Sequence, residues 1–68
     1  MFSLSALTVE QLKELIATYL EQLSNRGNPD ASFLTEMYVK EVKKGKKDDF
    51  VDFCQVLQNI VYRQEHDD

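Results

Sequence analysis

Residues 48–63, DDFVDFCQVLQNIVYR, decide how this chain folds. The run opens on Asp48 and Asp49, residues that favour a helix start. Its large apolar side chains then recur at helical spacing: Phe50, Phe53, Cys54, Leu57, Ile60 and Val61 share one broad face, flanked by Val56. Val51 and Tyr62, with Gln55 and Gln58, fall on the other side of the cylinder. The spacing predicts a helix over 48–64 that organises the domain, with a polar, frayed tail over 64–68.

Working back from that helix, residues 29–44 read as a second one. Asn28 is a candidate cap, Pro29 suits the first helical position, and Asp30 complements the helix dipole. Ala31, Leu34, Met37, Tyr38 and Val42 make its inner face, with Phe33 on the edge and Val39 off it. Glu41 is the misfit, because helical spacing carries it toward that inner face. Lys43 and Lys44 suit a helix C-terminus, and Gly45 reads as the stop.

The third helix is the first in the chain, over residues 8–25. Thr8-Val9-Glu10-Gln11 has the form of a capping box, and Leu7 and Leu12 are spaced for a hydrophobic staple. Leu12, Leu15, Ile16, Tyr19, Leu20 and Leu23 align on one face, and Gly27 follows as a left-handed terminator. Ahead of it, residues 1–7 form an arm, packed or frayed, in which Phe2 and Leu4 are apolar. No strand pattern, repeat or low-complexity stretch is present. The expectation is one all-α domain over 1–68 with three helices and short connections, packed up-down-up or splayed.

Sixty-eight residues bury a modest core, about 60 % of the unfolded surface for a chain this size. Cys54 is the only cysteine, so no internal disulfide supports it, and self-association is the simplest remaining support. A lone cysteine fits a reducing compartment. The opening MFSLSALTVEQ lacks a basic leader and its apolar run is short for a secretory signal. No run approaches the ~18 apolar residues of a membrane span. A soluble, cytoplasmic protein is the expectation.

Net charge is −4, unevenly spread. Residues 40–47 hold five of the eight basic residues and one of the twelve acidic ones. That leaves three basic and eleven acidic groups elsewhere, a charge of −8. An acidic body with one lysine-rich turn disfavours broad nucleic-acid or anionic-membrane binding.

The residues argue against most chemistry. Placing Gly45 sixth in a calcium loop puts Lys40, Val42 and Lys44 at the first, third and fifth positions, where oxygen ligands belong, and Val51 in place of the closing glutamate. His66, the single histidine, sits in an acidic tail, and Cys54 lies on an inner helix face without a neighbouring base. Both glycines stand alone, so no phosphate loop exists. The reading is a non-enzyme with no catalytic residue, metal, cofactor or evident small-molecule substrate. It is a protein–protein interaction module (adaptor, inhibitor or assembly accessory) whose partner is another protein or a second copy of itself. Phe2, Val39, Val51 and Tyr62 are the candidate interface, because they do not fit one three-helix core. The alternative is a nucleic-acid accessory touching phosphates through Lys43, Lys44, Lys46 and Lys47 within the Lys40–Lys47 turn.

Overall fold

The computed structural model describes residues 3–66. A 3-10 turn over Leu4–Ala6 leads into helix α1, Val9–Asn25. Helix α2, Ala31–Lys40, is followed by a second 3-10 turn, Val42–Lys44, and by helix α3, Lys47–His66. The described residues contain no strand. The protein is a small all-α domain of three helices, as its periodicity predicts.

Helix α1 is closed at both ends by local chemistry. The Gln11 amide donates to Thr8 Oγ1 at 3.1 Å, and the Thr8 amide donates to Gln11 Oε1 at 2.9 Å, so the capping box is complete. Its last carbonyls are taken up by the turn that follows. The Asn28 amide donates to the Leu23 carbonyl at 2.9 Å and the Gly27 amide to Ser24 at 3.0 Å. Gly27, at φ 71°, supplies the left-handed residue that this Schellman arrangement needs.

Helix α2 is shorter than its pattern predicts. Asn28 Oδ1 does accept the Asp30 amide, at 2.9 Å, but this makes a separate turn through Pro29, and regular helix begins at Ala31 instead of residue 29. At the other end the helix stops at Lys40, four residues early. Glu41 leaves helical geometry at φ −113°, ψ −61°. A continued α-helix would turn the Glu41 carboxylate toward the core, where an unpaired charge is costly. The tighter 3-10 turn instead buries Val42 and leaves Glu41 exposed.

Helix α3 starts one residue earlier than expected, and neither Asp48 nor Asp49 is its cap. Lys46 occupies that position: its carbonyl accepts the Asp49 and Phe50 amides, at 3.0 and 3.4 Å. Asp49 reaches back so that its Oδ2 accepts the Lys46 amide at 2.8 Å, half of a capping box. Gly45, at φ −89°, is not left-handed. It is small because the Asp49 carboxylate passes over it: a Cβ there would lie 2.8 Å from Asp49 Cγ and closer still to an oxygen. Helix α3 then continues to His66, past the expected end at residue 64, and Asn28 Nδ2 donates to Gln64 Oε1 at 3.1 Å.

Three hydrogen bonds set the direction of packing. Lys47 Nζ donates to the Ser5 carbonyl at 2.8 Å, Gln58 Nε2 to the Tyr19 hydroxyl at 3.1 Å, and Asn28 bonds Gln64 as described. The starts, middles and ends of α1 and α3 are thus matched in order. These two helices run parallel, with α2 returning between them in sequence. Leu12, Ile16, Leu23, Cys54 and Leu57 are fully enclosed, and no polar side chain is buried among the described residues. Helix α2 reaches α3 through Tyr38, stacked on Phe53 (centroids 5.8 Å apart) and edge-on to Phe50 (6.2 Å). Burial raises the Tyr38 hydroxyl above its ordinary value, with Lys13 lowering it and Glu10 raising it to smaller extents. The result is splayed and thin, 33 × 31 × 14 Å with a radius of gyration of 11.7 Å.

Candidate docking surface

Three of the four residues proposed as an interface fall within the described part of the chain. Phe2 lies outside the described residues. Val51 is half-buried against the core, which corrects its assignment to the outer side of α3. One helical turn back along α3, Lys47 donates to the Ser5 carbonyl, and the Leu4–Ala6 turn packs on the start of this helix. Val39 and Tyr62 are exposed as expected, at 53 % and 64 %. Tyr62 stacks on the His66 imidazole, centroids 4.2 Å apart.

Two residues outside that set are exposed to a similar degree: Phe33, at 63 %, and Val56, at 47 %. Both sit at the edge of an inward face. With Ala31 and Leu34 buried, Phe33 is turned outward on α2; with Phe53 and Leu57 buried, Val56 lies just past the core margin. Edge positions were the available signal, but spacing alone does not say which edge a neighbouring element covers.

Phe33 and Val56 belong to two adjoining grooves. One, of about 410 Å³, lies between the end of α2 and the side of α3, lined by Glu41, Val42, Asp49, Asp52, Phe53 and Val56. The other, of about 320 Å³, follows α2 and is lined by Phe33, Glu36, Met37, Lys40 and Glu41. Glu41 borders both, so the break in α2 makes the septum between them. A third hollow lies on the far side of the Glu36–Lys40 ion pair and includes Val39.

The two halves of this surface differ in charge. Glu36 and Lys40 pair with one another along α2. Glu41, Asp49 and Asp52 have no ion-pair partner among the described residues, although Asp49 is bonded to the Lys46 amide. The α3 groove thus has an apolar floor and three carboxylates at its margin.

The five lysines of the Lys40–Lys47 turn are all exposed, although Val42 between them is buried. Lys43 and Lys44 sit in the 3-10 turn and Lys46 caps α3, while Lys47 is held by the Ser5 carbonyl. Cys54 is fully buried, and burial pushes its thiol above the ordinary 9.0. His66 lies twelve residues further along the same helix, about 18 Å by helical rise, so the two do not meet. Comparison with protein-family models, curated proteins and solved structures finds no match.

Proposed function

We propose that this protein is a non-catalytic docking module that binds another protein through the paired grooves on α2 and α3. The observation that carries the reading is Phe33, a large aromatic side chain 63 % exposed at the mouth of one groove, with Val56 exposed in the next. Grooves with aromatic and aliphatic anchors suit an amphipathic helix, whose side chains at i, i+3, i+4 and i+7 enter such channels. Phe33→Glu combined with Val56→Glu tests it. Both side chains are outside the core, so the variant keeps its helical circular dichroism. A crosslinked pull-down from source cells recovers a stoichiometric partner with the wild type and loses it with the variant. Equal recovery with both proteins rules this surface out.

The nucleic-acid reading rests on Lys43, Lys44 and Lys46, which are exposed and make no ion pair among the described residues. Asp48 and Asp49 follow immediately and offset their field. A gel-shift experiment at low salt that shows no retardation eliminates it.

A further inference from the structure

We infer that the occupant of the paired grooves is a basic amphipathic helix of a different protein, seated with its cationic end over α3. This rests on the docking reading above and adds the chemistry of the partner. The α2 groove offers Phe33 and Met37 beside an ion pair that is already satisfied, with Glu41 unpaired only at its shared end, so most of its length takes apolar side chains. The α3 groove offers Val42, Phe53 and Val56 with Glu41, Asp49 and Asp52 above them. Its lining therefore carries acceptors and no cation, the lysines of the adjacent 43–47 turn lying outside it.

Lysine and arginine satisfy both requirements at once. Their aliphatic stems lie along apolar side chains while the charged head reaches the carboxylates. A charge-complementary margin also speeds encounter and fixes which way round the helix lies. An acidic or neutral helix would leave the Glu41 and Asp52 carboxylates facing its own side chains or partly dehydrated without a donor, while Asp49 keeps the Lys46 amide. Glu41 at the septum sets the junction between the apolar and cationic halves.

A second copy of the chain fits less well. Two-fold pairing centred on the septum would set Glu41 against Glu41, and each chain carries a net charge of −4.

The experiment uses two synthetic helical peptides of about 14 residues, ~21 Å long when helical. One has leucine and lysine in an amphipathic pattern; the other replaces each lysine by glutamate. Binding is followed by fluorescence anisotropy at physiological salt. The Leu/Lys peptide binds the wild-type protein and the Leu/Glu peptide does not. Glu41→Lys with Asp52→Lys weakens the Leu/Lys peptide by about tenfold or more, and Glu41→Gln with Asp52→Asn weakens it less. Glu14→Lys with Glu21→Lys, the same change in net charge on exposed α1 positions, alters it by less than about twofold. Phe33→Ala weakens it as well.

Equal weakening by the α1 and groove reversals means attraction to net charge alone and overturns the inference. Binding of the Leu/Glu peptide at least as tightly keeps the docking surface and removes the cationic partner. Sedimentation equilibrium showing a wild-type dimer that Phe33→Ala dissociates assigns the groove to a second copy and overturns it too. If neither peptide binds, this inference falls. The docking reading stands or falls separately, on whether Phe33→Glu with Val56→Glu abolishes capture in the pull-down.

Discussion

Gly45 and Asp49 act as a pair. The carboxylate that caps α3 passes so close over the glycine that any side chain at position 45 displaces it. Gly45→Ala is therefore expected to destabilise by about 1 kcal/mol, the usual value of a lost cap, although φ −89° is open to alanine. In an Asp49→Ala background the cap is already gone, and the same change becomes neutral or slightly stabilising because alanine restricts the unfolded chain. A double-mutant cycle by urea denaturation checks this; additive effects contradict the coupling. Cys54 carries a second prediction at this scale. Its thiol holds its proton more tightly folded than unfolded. The associated stability is present below the unfolded value and is lost as pH rises toward the folded one. Unfolding free energy is expected to decline as pH rises through and beyond the ordinary thiol value of 9.0, and less steeply in Cys54→Ala. Tyr38 shifts in the same direction and contributes at higher pH.

Among the elements, α1 was fully legible because its signals are local. Thr8, Gln11 and Gly27 act within one turn of their own positions, so no tertiary context is needed to read them. Gly27→Ala forces a Cβ into left-handed geometry and is expected to cost ~1–2 kcal/mol; Thr8→Ala is expected to cost ~1 kcal/mol. Thermal denaturation of each variant measures both, and a Gly27→Ala protein as stable as the wild type would contradict the role given to this turn. Helix α2 was legible only as far as Lys40. What ends it is the cost of turning Glu41 inward, which depends on α3 lying beneath. The true cap of α3 was hidden for a related reason: the group that does the capping, Asp49, sits three residues inside the helix. Val51 reads as an outer residue by helical period alone, yet it is half-buried against the core. The grooves themselves join Glu41 and Val42 to Asp49 through Val56, a pairing that no helical period contains.

At the scale of the molecule, the fully enclosed side chains among the described residues all lie on α1 and α3, within a core that Leu4, Ala31, Leu34 and Val42 complete. Typical stabilities near 0.05–0.15 kcal/mol per residue give a chain of this length roughly 3–10 kcal/mol. Leu57→Ala, at a position with no exposed surface, is expected to remove ~2–5 kcal/mol, a large share of that total. Loss of the cooperative transition in a melt, or a large drop in its midpoint, is the expected result; a shift of a degree or two would mean the core lies elsewhere. By contrast, Val39→Ala, outside the core, is expected to change stability by less than about 0.5 kcal/mol.

The parallel course of α1 and α3 has a mechanical consequence. Ser5 lies at the start of α3 and Gln64 near its far end, so Ser3 and His66 stand on opposite edges, separated by about the ~30 Å rise of a twenty-residue helix. Tension applied between those two residues pulls α1 and α3 along their shared seam in opposite directions. The interlocked side chains of Ile16, Leu57 and their neighbours would then bear load together instead of peeling apart one turn at a time. A tether running through this domain would meet a shear-loaded element, stiff up to a single abrupt yield.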